Sequence, residues 1–184
     1  HHFENAGAPI HSGNDLWINL NPFTPGLNRV EADELSYGLH IMIRSDLEID
    51  LLEKGLPVDD LPNEWNKRYL NLLGVAPNND TEGCLQDVHW SEGMFGYFPS
   101  YLLGHLISAQ ITKTLENDLG EIENVIESNE ISKILVWLRQ NVHHYGRSLD
   151  SEELVKKVSG TTLSPNYFLE YLENKLEKLS KISH

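Results

Sequence analysis

Three short stretches of this 184-residue sequence hold the side chains that could do chemistry. The first is Asn28-Arg29-Val30-Glu31-Ala32-Asp33, which places one arginine among two acids where a helical pattern begins. On its own, this composition fits a solvated helix cap with local ion pairs, and such pairs contribute little to stability. From its composition alone, the stretch therefore has no assigned role.

The second stretch, Gly83-Cys84-Leu85-Gln86-Asp87-Val88-His89-Trp90, contains an acid and a histidine two residues apart. Asp87 and His89 could form an orienting pair or ligate a metal ion. A closed zinc site needs four ligands and a catalytic one needs three, so this pair alone is too little. A buried hydrogen-bond network is the alternative use of these residues.

The third stretch runs from Gly93 to Tyr101 and is rich in aromatic residues. Packing into a core explains Phe95, Tyr97 and Phe98, whereas Tyr101 could point its hydroxyl into a cleft from the first turn of a helix. The glycines of this stretch permit a close backbone approach or a positive φ angle.

The motifs of several common enzyme classes are absent from the sequence. There is no H-E-x-x-H, no Walker loop and no G-x-S-x-G elbow. His143 and His144 are adjacent, so on a helix they point about 100° apart and do not share a metal easily. His40 and Arg44 lie one helical turn apart, which fits a satisfied interior or surface pair. From the residues alone we assign no catalytic residue and no metal ligand.

The elements that must position these stretches have a helical period throughout. Apolar residues recur at spacings of three and four after Glu31, and no alternating strand pattern is evident. The sequence therefore predicts an all-α fold, with residues 1–27 as a poorly specified arm or junction and residues 28–184 as one helical portion. The predicted helices are Val30 to Glu53, Asp60 to Gly74, Pro99 to about Gly120, Glu130 to Val142, Ser151 to Val158, and one that starts at Ser164-Pro165.

Composition limits the partners. The sequence has 28 acidic and 14 basic residues and a formal charge of -14, which repels phosphate backbones and anionic lipids. No apolar run approaches the ~20 residues that span a bilayer. Cys84 is the single cysteine, so an intrachain disulfide is impossible. We expect no nucleic-acid partner, no membrane partner and a cytoplasmic location.

Taken together, the three stretches resemble one family. Asn28 to Asp33 is similar to an [I/N]-R-x-x-[A/S]-D signature, and Gly83 to Trp90 matches G-x-x-Q-D-x-H-W at every fixed position. Gly96 to Tyr101, followed by Leu103-Gly104, resembles a G-Y-F-P-[S/T]-Y-x-L-G stretch. These are motifs of the thermostable carboxypeptidases, metallopeptidase family thirty-two. The resemblance runs from about Asn28 to the end of the chain.

The resemblance implies the C-terminal part of a mainly helical, zincin-like metallocarboxypeptidase fold. It implies homodimers, peptide C-termini as substrates, and zinc or another divalent metal held by H-E-x-x-H and a later glutamate. It maps the recognition of the substrate's terminal carboxylate onto Arg29, with Tyr101 as an assistant, since a guanidinium fork suits a carboxylate. The other motif residues are expected to line the groove: Asp33, Gln86, Asp87, His89, Trp90 and Tyr97.

The sequence departs from the family in one respect, because H-E-x-x-H and the segment that supplies the third metal ligand are missing. Without a metal there is no activated water and no Lewis acid. We therefore expect a carboxypeptidase fragment that binds no metal and is inactive alone. The alternative is a non-catalytic helical module, derived from the family, that binds peptides or another protein.

Overall fold

A computed structural model describes residues 12–182, and within that range the chain is helical with no β-strand. The predicted all-α class is therefore confirmed. Short 3-10 helices precede α2, precede α3 and follow α6. The α-helices are α1 (Gly13–Leu20), α2 (Glu34–Leu52), α3 (Leu61–Leu73), α4 (Pro99–Leu119), α5 (Ile122–Glu127), α6 (Ile131–Asn141), α7 (Ser151–Ser159) and α8 (Asn166–Ile182).

The predicted first long helix begins later than its apolar period suggests. Arg29–Glu31 forms a separate 3-10 turn, and α2 starts only after Asp33. The Asp33 carboxylate accepts hydrogen bonds from the backbone N–H groups of Leu35 and Ser36, at 3.0 and 2.9 Å. This N-cap satisfies donors that have no partner inside the helix, so it fixes where the helix begins.

Residues 1–27 were expected to be a poorly specified arm or junction, and in the described part of that segment, residues 12–27, the structure has one helix that was not predicted, α1. The Ser12 hydroxyl accepts a hydrogen bond from the Asp15 N–H at 3.1 Å and opens α1. The polar run from His11 to Asn14 was interpreted as a loop, although a serine three residues before an acid is a helix-start pattern. Residues 1–11 lie outside the described residues. The short helix α5 was also missed.

The chain forms two compact units. Of the described residues, the first unit comprises 12–102 and 176–182, and the second comprises 103–175. The core of the first unit lies between α2 and α3, where Trp65 stacks on Tyr69 with ring centroids 4.9 Å apart. Its buried members are Ile43, Leu47, Trp65, Tyr69, Leu73 and Cys84. All three motif stretches belong mainly to this unit.

The second unit has its own core around Ile111, Leu115 and Trp137. A fully buried glutamine, Gln110, ties α4 to the turn after α7. Its amide donates to the Ser159 hydroxyl at 2.8 Å, and its carbonyl oxygen accepts from the Ser164 N–H at 2.9 Å. In residues 12–182 no helix is both long enough and apolar enough to span a bilayer.

Candidate functional site

The centre of the site is Asp87, whose two carboxylate oxygens serve two different arginines. Oδ1 accepts from Arg29 Nε at 3.1 Å and from Arg29 Nη2 at 2.7 Å. Oδ2 accepts from Arg44 Nε at 2.6 Å. Arg29 lies on the 3-10 turn before α2 and Arg44 lies within α2. Asp87 lies on a loop more than 40 residues further along the chain. It therefore connects the second motif stretch both to the first stretch, through Arg29, and to α2, through Arg44.

Arg44 is wholly inside the protein, with a relative exposure of 0%. Its Nη1 donates to the His40 carbonyl oxygen at 2.9 Å and to the Tyr69 hydroxyl at 3.0 Å. Its guanidinium lies over the Trp65 ring, 4.7 Å from the centroid. A charge this deep requires a counter-charge and a nearly full set of hydrogen bonds, and this environment supplies both.

Gln86 is the second link between the two arginines. Its side-chain oxygen accepts from Arg44 Nη2 at 2.9 Å and from the backbone N–H of Arg29 at 3.2 Å. Its amide nitrogen donates to the carbonyl oxygens of Leu27 and Glu82, at 3.1 and 2.8 Å. Both ends of the amide are thus satisfied, and this fixes its orientation.

Arg29 differs from Arg44 because part of its side chain reaches the surface. About a tenth of the Arg29 side chain is exposed. Three of its five N–H groups have acceptors, two on Asp87 and one on Tyr37 at 3.3 Å. The Tyr101 ring lies against the guanidinium, with 5.0 Å from Cζ to the centroid. Two N–H groups of Arg29 therefore have no acceptor among the described residues.

His89 and Tyr101 form the aromatic side of the site. His89 Nε2 lies 3.0 Å from the Tyr101 hydroxyl, and the His89 ring is 4.4 Å from the Phe98 ring. Asp87 and His89, which the sequence suggested could form an orienting pair, are not hydrogen bonded, because Nδ1 lies 3.8 Å from Asp87 Oδ1, within ion-pair distance but beyond hydrogen-bond distance. His89 Nδ1 is buried and has no hydrogen-bond partner among residues 12–182.

The charges of the site are fixed by these contacts. Burial alone would raise the pKa of Asp87, but hydrogen bonds from Arg29 and the charge of Arg44 outweigh burial and hold it below its ordinary value. Burial alone would lower the pKa of Arg29, and the hydrogen bond and charge of Asp87 outweigh that effect and raise it. Asp87 and Arg29 are therefore both ionised at neutral pH.

His40 is the neutral member of the network. Burial and the nearby charges of Arg44 and Arg29 lower the pKa of His40 to about 4. Its Nδ1 lies 3.0 Å from the Tyr69 hydroxyl, which already accepts from Arg44. The Tyr69 hydrogen is thus directed at Nδ1, and His40 carries its own hydrogen on Nε2. Burial also raises the pKa of Tyr69, so its hydroxyl stays protonated.

Trp90 anchors the loop that carries the third motif. Its indole N–H donates to Glu48 Oε1 at 2.8 Å, and Glu48 Oε2 accepts from the Gly96 backbone N–H at 3.0 Å. Gly96 has a φ of 75°, a backbone conformation that favours glycine. One buried glutamate on α2 therefore positions the loop. Tyr97 on that loop is 47% exposed.

The structure thus brings together Arg29, Gln86, Asp87, His89 and Tyr101. Asp33 instead caps α2, and its predicted place in a groove stays a prediction, as do the groove-lining roles of Trp90 and Tyr97. Sequence reasoning missed two members of the site. Arg44 was assigned to a satisfied pair with His40, although a charged residue on the apolar face of a helix is a signal of a buried partner. Tyr37 was not singled out.

The site does not fit a metal ion. In residues 12–182, no three histidine, cysteine, aspartate or glutamate side chains converge on a point where a metal could be held. The two histidines of the network are each committed by one nitrogen to a tyrosine hydroxyl. The expectation that this chain binds no metal stays a prediction. The site instead consists of two arginines that share one aspartate. Arg44 is fully buried, whereas part of the Arg29 guanidinium reaches the surface.

Residues 1–176 match the family model for the carboxypeptidase Taq (M32) metallopeptidases. The chain is 42% identical over 160 residues to carboxypeptidase 1 of Bacillus subtilis. It is 42% identical over 165 residues to thermostable carboxypeptidase 1 of Thermus thermophilus. These matches cover 87% and 90% of this chain but only 32% of each relative. The chain thus spans about a third of the length of the curated relatives it matches.

Solved structures that resemble this chain are also carboxypeptidases, and the chain again covers about a third of each. An M32 carboxypeptidase from Deinococcus radiodurans has a TM-score of 0.89 at 33% identity, covering 97% of this chain and 35% of that one. Metallocarboxypeptidase 1 of Trypanosoma cruzi has a TM-score of 0.86 at 38% identity, covering 91% and 34%. The family match also includes residues 1–27, so the expectation that the likeness begins near Asn28 was too narrow.

Proposed function

Because this chain belongs to the carboxypeptidase Taq (M32) metallopeptidase family, we propose that it supplies the part of a metallocarboxypeptidase that binds a peptide's C-terminal carboxylate. The observation that carries the proposal is Arg29, a nearly buried guanidinium with two N–H groups that have no acceptor within residues 12–182. The intact enzyme removes C-terminal amino acids from peptides.

Arg29 suits this role because its orientation is fixed before substrate arrives. Asp87 holds Nε and one terminal nitrogen, and Tyr37 holds the other. The free N–H groups therefore require little ordering when a carboxylate binds, which favours affinity. An exopeptidase must also recognise the terminal charge in order to place the last peptide bond at its reaction centre.

Tyr101 is the second proposed contact for the carboxylate. Its hydroxyl is 3.0 Å from His89 Nε2. A hydroxyl has one hydrogen, so Tyr101 donates to the carboxylate only when His89 donates to the tyrosine oxygen from Nε2. We assign His89 to this tautomer in the substrate complex. His89 then orients the tyrosine and does not itself touch the carboxylate.

The family is a metallopeptidase family, which implies a divalent metal in the intact enzyme, zinc in our proposal. Such a metal activates water and polarises the scissile carbonyl when bound. The described residues offer no ligand set for it. We therefore assign metal binding to other parts of the intact protein, and we propose that this chain alone is an inactive fragment.

The partners and compartment are also proposed. We propose peptide C-termini as substrates, a homodimer as the assembly, and the cytoplasm as the compartment. Cys84 is the single cysteine of the sequence and is free, so the chain has no intrachain disulfide, which fits a reducing environment. The formal charge of -14 leaves nucleic acid and anionic membranes as unsuitable partners.

The proposal is tested by replacing Arg29 in the intact, metal-loaded enzyme. Arg29→Ala removes a charged partner from a largely desolvated carboxylate, which typically costs ~2–5 kcal/mol. We expect kcat/KM for peptides with a free C-terminus to fall roughly 30- to several-thousand-fold. Arg29→Lys should recover only part of this, because an ammonium cannot reproduce the fork.

The matched measurement uses the same peptides with an amidated C-terminus, which lack the recognised charge. The ratio of kcat/KM for free over amidated peptide should fall sharply in Arg29→Ala. The control is Arg68→Ala, which removes another arginine paired with an aspartate of the first unit, Asp50. If Arg29→Ala lowers activity on both peptides equally, then Arg29 acts only through stability and the carboxylate assignment is wrong.

A further inference from the structure

We propose that Arg44 is a positioning residue for substrate recognition, acting on Arg29 through Asp87 and Gln86. This inference rests on the proposed role of Arg29 as the carboxylate-binding residue. Arg44 holds both the side chain and the backbone of Arg29 in place. It also keeps a surplus of positive charge at the site.

The first connection runs through the Asp87 carboxylate. Arg44 Nε binds Oδ2 at 2.6 Å, while both Arg29 contacts are to Oδ1, at 3.1 and 2.7 Å. Each arginine thus has its own carboxylate oxygen. Because Arg44 restrains one oxygen, the plane of the carboxylate is fixed, and the direction in which Asp87 holds the Arg29 fork is fixed with it.

The second connection runs through the Gln86 amide to the backbone. Its oxygen accepts from Arg44 Nη2 at 2.9 Å and from the Arg29 N–H at 3.2 Å. Arg29 lies on a single 3-10 turn with α2 beginning at Glu34. A short turn has few internal hydrogen bonds, so this contact from Gln86 restrains where the Arg29 side chain starts.

Arg44 has no route to the substrate itself. Its relative exposure is 0%, and its guanidinium is covered by the Trp65 ring at 4.7 Å. Its remaining bonds go to the His40 carbonyl oxygen and the Tyr69 hydroxyl. Any effect of Arg44 on substrate binding must therefore pass through its neighbours.

Charge is the third part of the argument. The hydrogen-bonded group of Arg29, Arg44 and Asp87 has two positive charges and one negative charge. His40 is neutral, because its pKa is lowered to about 4. Glu48, one turn after Arg44, is directed at the Trp90 indole and a backbone N–H. Without Arg44, Asp87 would neutralise Arg29, and the attraction for an incoming carboxylate would fall.

The experiment measures binding without turnover in the intact, metal-loaded enzyme. The probes are an N-acetylated amino acid, which has a free carboxylate, and its amide, each as a competitive inhibitor of peptide hydrolysis. Arg44→Met keeps a long unbranched side chain but removes the charge and its donors. We expect its inhibition constant for the free acid to rise about 10- to 100-fold, with that for the amide within about twofold.

Arg44→Lys separates charge from position and is the second variant if Arg44→Met does not fold. An ammonium keeps the positive charge but cannot bind Asp87 and Gln86 together. We expect a weaker preference for the acid over the amide than in the wild type, by about three- to tenfold, because Arg29 is no longer held. A lysine variant with the wild-type preference would refute the positioning role.

Two controls distinguish this role from a general loss of stability. Leu47→Ala empties a fully buried position on the same helix, and Arg68→Met removes a guanidinium that pairs with Asp50 away from the site. Both should lower the unfolding temperature without changing the acid-to-amide preference. Arg29→Ala tests the proposed function separately: if it leaves the preference unchanged, that function fails. If Arg29→Ala changes the preference and neither Arg44 variant does, the inference about Arg44 fails alone.

Discussion

Replacing Asp87 by asparagine should destabilise the protein far more than one hydrogen bond would suggest. The wild-type carboxylate accepts three N–H groups from two arginines, at distances between 2.6 and 3.1 Å. Asparagine keeps one acceptor oxygen and puts an NH₂ group where the second oxygen was. That NH₂ faces a guanidinium donor, so the change removes the counter-charge and creates a donor-to-donor contact.

The expected loss of stability follows from the burial of the three side chains. The Arg44 side chain is 0% exposed, those of Arg29 and Asp87 about a tenth exposed, so water does not replace the lost charge. Removing one partner of a buried ion pair typically costs ~3–5 kcal/mol. A domain has about 5–15 kcal/mol of stability in total. Asp87→Asn should therefore leave a folded but much weakened protein.

Chemical denaturation at pH 7 measures this loss, with an unchanged m value as the sign that the folded state keeps its compactness. Asp50→Asn is the matched control. Asp50 also bridges two cations, but both lie nearer the solvent than the partners of Asp87. The Lys54 side chain is 67% exposed and that of Arg68 is 22% exposed, against 10% for Arg29 and 0% for Arg44. Exposed ion pairs contribute about 0–1 kcal/mol. The control therefore separates burial from the number of charges that each aspartate bridges.

The effect of Asp87→Asn on stability can also be measured as a function of pH. The pKa of Asp87 lies below its ordinary value in the folded chain, so its contribution to stability is fully present above the unfolded pKa. That contribution is lost as the pH falls through the folded pKa. The stability difference between wild type and Asp87→Asn should shrink accordingly. A loss below about 1 kcal/mol at pH 7 would show that water screens the two arginines and would refute this reasoning.

Two further perturbations address the neighbours of Asp87. The pKa of His40 is lowered to about 4, so the unfolded chain binds more protons between pH 4 and about 6.5. The free energy of unfolding should therefore rise over that interval by up to ~3 kcal/mol and level off above it, a rise that His40→Gln should abolish in pH-dependent denaturation. Trp90→Phe removes the donor to Glu48 and should cost about 1–3 kcal/mol by denaturation, since a buried carboxylate oxygen loses its partner. Amide exchange at Gly96 should also speed up in that variant, and an unchanged rate would show that Glu48 does not hold the loop.

The helices were largely predictable because their signals are local. Gly74, with a φ of 72°, ends α3 as predicted, and the Asp150 and Glu153 capping box opens α7. The error at α2 was also local in origin. Its apolar period continues back toward Val30, but the Asp33 side chain accepts two backbone N–H groups and begins the helix there. The N-capping hydrogen bonds of Asp33 therefore decide where the helix begins, although the apolar periodicity extends further back. Both the capping residue and the periodicity can be read in the sequence.

The site was less predictable because its contacts join residues far apart in the chain. The resemblance identified Arg29 and Asp87 as motif residues, but spacing suggested the pairing of Asp87 with His89, two residues away. The observed partners of Asp87 are 58 and 43 residues away, and no local pattern encodes them. Periodicity did place Arg44 one turn from His40 on α2, but it left open whether that pair lies inside the protein or at its surface. Burial obliges an arginine to have a counter-charge, yet which acid provides it depends on how the loop from Gly83 to Trp90 packs on α2.

Under the proposed role of Arg29, this dependence explains why one aspartate would determine both stability and recognition. A carboxylate that served Arg29 alone would cancel its charge and leave little attraction for a substrate anion. A carboxylate shared with a second, inaccessible arginine holds Arg29 rigidly and still leaves the group cationic. Asp87 therefore needs Arg44 if it is to orient Arg29 without neutralising the site. Because Asp87 is shared, its loss leaves two arginines side by side without a counter-charge. Replacing Asp87 should therefore lower both the stability and the substrate preference, whereas replacing Arg29 should lower the substrate preference without an equal loss of stability.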